Sequence, residues 1–320
     1  MTTAGPSPVR AEVSILRPAS ADGSAVTSAT RFVIAPDELS FTGNYPGLAL
    51  FPGVCVIECA HRSSLATVPQ PAAGAPAPPM RLVGVRSARF RTPVFPGDEL
   101  TVRIGWSAAP SGWICDAGIS NGRGEVARAA LRYRNGPSGE PPVAAPPRPP
   151  AAAVPTRITP FEIQRLMPHR YPMLLVDQVR EIVPGERIVA VKAITYTDIW
   201  YGQLPAATPP EQLAFPTVLL VESWLQAAGV LTTWDRPNPE PLAGEVMLLG
   251  GLTNIRFHHP VLPGDVVEHR VRLLRAHTDA MVFEGESLVG DTVTMTIERV
   301  SLALRPPESV VALASAASAA

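Results

Sequence analysis

The chain of 320 residues, 46% hydrophobic and 17% charged, has the length of two domains and enough apolar side chains to bury a sizeable core. A formal net charge of -1 with no basic run leaves no electrostatic footprint for nucleic acid or for an anionic membrane surface, so neither is an expected partner. No apolar stretch approaches the ~18 residues needed to span a bilayer, and the opening MTTAGPSPVR lacks the apolar centre of a secretory signal, so a cytoplasmic location is expected.

The first strong element is the run Phe51-Pro52-Gly53-Val54-Cys55-Val56-Ile57-Glu58. Proline is tolerated at or just before the first turn of a helix, and the residues after it are apolar on nearly every side, which predicts a buried helix. Residues 69–79, rich in proline and alanine, read as a loop before a strand that carries Arg86, Arg89 and Arg91. Residues 136–156 are too rich in the same two residues to pack, and predict an extended linker between a first domain, 1–135, and a second, 157–306. The second domain brings a helix begun by Pro216, then strands expected over 253–257, 265–274, 280–288 and 293–304. Residues 307–320 read as a flexible tail.

The two domains repeat one another. Arg89-Phe90-Arg91-Thr92-Pro93-Val94-Phe95-Pro96-Gly97-Asp98 is answered 167 residues later by Arg256-Phe257-His258-His259-Pro260-Val261-Leu262-Pro263-Gly264-Asp265. Glu58 in the first apolar helix is answered 164 residues later by Glu222 in the second. Each half therefore predicts an α+β unit, a curved antiparallel sheet wrapped around one long buried helix. Cys55, Cys59 and Cys115 read as buried free thiols, and no Cys/His cluster has metal-ligand spacing, so no metal is expected.

Residues 158–177 (ITPFEIQRLMPHRYPMLLVD), above all Pro168-His169-Arg170-Tyr171-Pro172, resemble the opening of the FabA/FabZ-like 3-hydroxyacyl-[acyl-carrier-protein] dehydratases. Val221-Glu222-Ser223-Trp224-Leu225-Gln226-Ala227-Ala228-Gly229 resembles that family's central helix, and the first half matches more weakly through Gly43-Asn44-Tyr45-Pro46-Gly47, the Glu58 helix and the Arg89 strand. The resemblance implies a double hot-dog fold with a continuous sheet and two acyl tunnels between the halves, the single chain standing in for a dimer. It implies a hydro-lyase acting in fatty-acid or polyketide biosynthesis. It implies no cofactor, the substrate being presented on phosphopantetheine by acyl carrier protein or coenzyme A. Each site of the family takes a histidine from one protomer and an acid from the helix of the other, which here pairs position 44 with Glu222 and position 203 with Glu58.

Both histidines are replaced. Asn44 lies 14 residues before Glu58, the family's spacing, and Gln203 lies 19 before Glu222, which places a five-residue insertion within 206–214. Removing water from a 3-hydroxyacyl thioester needs a base for the α-proton and an acid for the departing hydroxyl, and an amide supplies neither. Three readings stay open: a dehydratase in which a buried glutamate with raised pKa works without the histidine; a thioesterase in which Asn44 or Gln203 polarises the carbonyl for Glu222 or Glu58; and an inert acyl-chain or carrier-protein binder.

Backbone N–H groups at each helix start, at Gly53 and Thr217, are the candidate oxyanion donors. Thr217 is expected to cap its helix and crowd a carbonyl, which makes the half built on Glu222 the weaker candidate. His61, one turn after Glu58, and His169 are possible replacement bases, each more readily explained by packing. His258 and His259 are expected within a strand, one on each face. The arginines of the 89 strand could meet a phosphate or lie on a solvated face, and Trp200, Tyr201 and Trp224 are expected in the core or a tunnel wall.

Overall fold

The structure is a computed structural model and describes residues 5–22, 25–69, 80–136, 143–144, 154–202, 204–240 and 244–318. Its first half runs β1 (Ser14–Asp22), β2 (Ala25–Val33), α1 (Leu39–Asn44), α2 (Gly53–Ala66), β3 (Met80–Phe90), β4 (Glu99–Ala109), β5 (Gly112–Asn121) and β6 (Gly124–Asn135). The second runs β7 (Val154–Ile158), α3 (Pro160–Leu166), β8 (Gln178–Val183), β9 (Arg187–Ala193), α4 (Thr217–Thr233), β10 (Val246–Phe257), β11 (Val266–Ala276), β12 (Ala280–Val289), β13 (Thr292–Arg305) and α5 (Pro307–Ser318).

Alternation places the strands. In β4 Leu100, Val102, Ile104 and Trp106 are buried at every second position, and in β6 Ala127, Ala129, Leu131 and Tyr133 follow the same rule, so one face covers α2. The buried polar groups at the end of α2 are answered locally: Ser63 and the capping Thr67 bond the hydroxyls of Thr30 and Ser28 on β2 at 2.6 and 2.8 Å.

The repeated Pro-Gly-Asp has a physical cause in both halves. Gly97 and Gly264 adopt φ of 85° and 103°, which side chains resist, and Asp98 and Asp265 accept from the N–H groups of Phe95 and Leu262 at 2.9 and 2.8 Å. The same turn therefore opens β4 and β11.

The strands form one antiparallel sheet in the order β1-β2-β4-β5-β6-β3-β10-β13-β12-β11-β9-β8-β7. The halves join where β3 pairs β10, from Gly251 opposite Arg89 to Arg256 opposite Gly84. A Cβ at Gly84 would lie 2.4 Å from the Ile255 carbonyl oxygen, so the join requires a glycine there. With α2 and α4 packed together beneath it, the sheet is the expected double hot dog.

Several expectations at the edges are corrected. The second domain begins at β7, inside the expected linker, because residues 154–158 pair with β8. Within the linker Ala144 bridges Thr292 and the Val143 carbonyl accepts from Val293 N, while residues 137–142 and 145–153 lie outside the described residues, as do 70–79 of the first loop. β10 starts at Val246 rather than 253, its alternation hidden by a register shift between Leu249 and Gly251. It also ends before His258 and His259, which lie beyond the strand.

Residues 307–318 form α5 rather than a flexible tail. Proline suits a helix start, the Ala-rich run favours helix, and Val310 is buried with Tyr45, Leu48, Leu50, Phe95 and Val246. Val310→Ala is expected to cost α5 about 1–2 kcal/mol of docking, seen as faster hydrogen exchange in α5 with β13 unchanged; equal exchange would show that Val310 does not hold the helix. No helix among the described residues is long and apolar enough to cross a membrane.

Candidate active site

The last turn of α1 ends on Asn44, which is 4% exposed and donates its Nδ2 to the Leu50 carbonyl at 2.9 Å. One residue earlier Gly43 accepts from Arg170 N at 2.8 Å, and a Cβ there would sit 2.2 Å from the Arg170 oxygen. Only glycine allows this approach, which lays the Pro168–Pro172 run of the second half against the first.

His169 thereby reaches the boundary between the halves. Its ring is buried, 5.5 Å from the Tyr45 ring, with Nε2 3.6 Å from Glu222 Oε1. Burial and the neighbouring Arg170 push the imidazole pKa down to about 3, so it is neutral at neutral pH.

Glu222 comes from the second turn of α4 and is 7% exposed. Burial raises its carboxyl pKa, opposed by the Gln226 amide, whose Nε2 donates to Oε1 at 3.0 Å. Gln226, one turn on, also donates to the Met173 carbonyl at 2.6 Å and accepts from Leu175 N at 2.7 Å. Sequence reading used Gln226 only as a family mark and missed it as the bracket that ties Glu222 to the His169 segment.

Opposite stands the start of α2. Cys55 and Val56 turn their N–H groups back onto the Pro52 carbonyl, and helix geometry leaves the Gly53 N–H without an intrahelical acceptor. Asn44, Gly53, His169, Glu222 and Gln226 together line one cavity of about 250 Å³ with apolar walls from Phe51, Val56, Leu225 and Leu249. It can hold an acyl chain beside a proton donor and a helix start.

Comparison with known proteins gives the family and the fold. A FabA-like domain matches residues 167–298, and an ApeI dehydratase domain matches residues 20–120. The chain is 33% identical over 138 residues to the 3-hydroxyacyl-[acyl-carrier-protein] dehydratase FabZ of Shewanella sp. (strain W3-18-1), covering 43% of this chain and 86% of that one. For FabZ of Acidovorax sp. (strain JS42) the identity is 38% over 138 residues, covering 43% and 91%. The chain belongs to the FabA/FabZ-like dehydratase family. In fold it is similar to the dehydratase domain of PpsC from Mycobacterium tuberculosis in complex with C12:1-CoA, with a TM-score of 0.57 at 16% identity over 90% of this chain and 98% of that one. A bifunctional dehydratase-cyclase domain in ambruticin biosynthesis gives 0.58 at 16% identity, covering 95% and 98%.

In this FabA/FabZ-like dehydratase the second expected site looks different. Glu58, 5% exposed, accepts from Ser7 Oγ at 2.7 Å, and Arg62 donates to the Val9 carbonyl at 2.6 Å. Residues 5–12 thus lie along α2, with Pro6, Pro8, Val9 and Ala11 buried. Gly5 approaches the Gln212 carbonyl just before α4. Gln203, the expected partner of Glu58, lies outside the described residues. No periodicity in residues 5–12 announces this contact.

The remaining candidates separate cleanly. Thr217 opens α4 without a side-chain cap and does not line the cavity. Glu222 instead lines the same cavity as Gly53 of the other half, so the expected crowding by Thr217 does not bear on that cavity. His61 bonds Tyr133 Oη at 3.0 Å and stacks on its ring, away from the cavity. His258 bonds Thr296 Oγ1 at 3.0 Å. Arg86 and Arg89 are exposed, and Arg91 pairs with Glu125 at 2.6 Å. Trp200, Tyr201 and Trp224 are buried in the core. The cysteines are free and buried, and no metal-binding group of three or more His, Cys, Asp or Glu occurs among the described residues.

Proposed function

We propose that the chain removes water from a 3-hydroxyacyl thioester, carried on phosphopantetheine by acyl carrier protein or coenzyme A, at the cavity where Glu222 meets Asn44 and Gly53. The observation that carries this is a buried carboxyl, its pKa raised, across an apolar cavity from an open helix start. Burial favours the protonated carboxyl, which is the form that can hand a proton to the departing hydroxyl. The Gly53 N–H and the α2 dipole stabilise the negative charge that grows on the thioester oxygen as the C2 proton leaves. Asn44, held by Leu50, presents its amide to the substrate without moving a proton. The Glu58 position, bonded to the chain's own Ser7, is not used for catalysis in this reading.

Intact mass spectrometry tests it. A 3-hydroxyacyl carrier-protein thioester should lose the mass of one water, while the saturated acyl thioester stays unchanged. Release of free acid from both would make the protein a thioesterase, and no change in either would leave a binder; both results sink the proposal. Glu58→Gln should leave the rate of water loss within about threefold.

A further inference from the structure

We propose that His169 is the base that takes the C2 proton of the substrate, in place of the histidine missing at position 44; this rests on the dehydration reading above. The geometry of the imidazole carries it. His269, equally buried, has both ring nitrogens bonded at 2.8 Å, to Ser223 and to Ser287, as a packing histidine should. His169 differs. Its Nδ1 is buried with no hydrogen-bond partner among the described residues, and its Nε2 stands 3.6 Å from Glu222 Oε1, beyond hydrogen-bond length. The ring is therefore uncommitted, and it lines the same cavity as Asn44, Gly53 and Glu222.

Its placement is built rather than incidental. The Arg170 N to Gly43 O bond and the bare Cα of Gly43 press the histidine segment against the turn that ends in Asn44, and Gln226 anchors the same segment through Met173 and Leu175. An imidazole lost from one wall of the site is thus supplied from another. Burial and Arg170 keep the free ring neutral, as a base must be.

The step balances. The C2–H bond breaks and its proton goes to Nε2 of His169. The electron pair becomes the C2–C3 double bond, and the C3–O bond breaks with its pair on oxygen. That oxygen takes the Glu222 proton and leaves as water. Imidazolium and carboxylate then face each other at 3.6 Å, and return of the proton from His169 to Glu222 restores both groups. The opposite charge beside it offsets the burial that disfavours an isolated imidazolium.

His169→Gln should slow water loss by about 100-fold, and Asn44→His added to it should recover at least about tenfold, by returning an imidazole to the cavity. Asn44→His in the chain that keeps His169 should gain far less than it recovers in His169→Gln, whereas a packing role for His169 gives the same gain in both. A rate within about threefold of the unaltered chain in His169→Gln, or a loss that Asn44→His leaves untouched, overturns the proposal while observed water loss keeps the dehydration reading standing. If the unaltered chain yields no water, both fall. Should His169→Gln fail to fold, ¹⁵N spectra of the histidine rings in the unaltered chain decide: a 2-enoyl thioester shifts the His169 signals if the ring meets the reacting carbons, and unmoved signals overturn the assignment.

Discussion

Glu222→Gln is expected to slow water loss by a factor of about 10²–10⁴ without unfolding the protein. The amide keeps the shape of the carboxyl and its oxygen can still accept from Gln226, so packing is preserved; what disappears is the proton for the departing hydroxyl. In the unaltered protein the rate should fall as pH rises through the raised native pKa of Glu222, because the carboxylate has no proton to give.

The substitution moves stability opposite to the rate. The native protein holds a proton that the unfolded chain gives up at its ordinary carboxylate pKa, so the native state binds more protons between the two values. This contribution is complete below the unfolded-state pKa and is lost as pH rises through the native one. At neutral pH Glu222 therefore costs stability, and Glu222→Gln should melt at or above the temperature of the unaltered chain, with the advantage shrinking in mild acid. Thermal melts at both pH values and a rate measurement check the pair of effects. A variant that keeps its rate within about threefold removes Glu222 from the chemistry.

Gln226→Leu should have the largest effect on folding. Gln226 is 1% exposed and fully used: two amide hydrogens go to Met173 O and Glu222 Oε1, and its oxygen accepts from Leu175 N. Leucine fills a similar volume but strands a backbone carbonyl, a backbone N–H and a carboxyl in the interior. Each such orphan costs about 1–3 kcal/mol, so a total of about 3–9 kcal/mol is expected. Denaturant unfolding measures it, and a loss under about 1 kcal/mol would mean that water replaces the amide at these groups. The same change should impair catalysis, because it frees both Glu222 and the segment that holds His169.

Much of the fold was legible because its causes are local. The Pro-Gly-Asp turns need a positive φ and a carboxylate that folds back on its own loop, and that demand repeats in sequence wherever the turn repeats in space. Glu58 and Glu222 stood out because a carboxylate in an apolar helix must be accommodated somewhere. Residues 5–12 and α5 were illegible for the opposite reason. Each is held by distant groups, Ser7 by Glu58 and Val310 by Tyr45 and Phe95; residues 5–12 carry no pattern of their own, and the helix propensity of α5 does not say that it docks.

The sequence by itself determined two α+β units in tandem and a glutamate in each central helix, and its resemblance to the dehydratase family implied an asparagine at the histidine position. Periodicity, turn chemistry and spacing are properties of neighbouring residues, and the chain carries them wherever it goes. Only the tertiary structure decided that Glu222, Gly53, His169 and Asn44 line one cavity and that Glu58 is bound by Ser7. Those placements join the two halves of the chain, through the Arg170 N to Gly43 O bond on one side and the β3–β10 pairing at Gly84 on the other, where close approach of two backbones sets the distances. Local propensity has no bearing on which side chains meet between the halves, so the candidate groups could be named from the chain but brought together only in the fold.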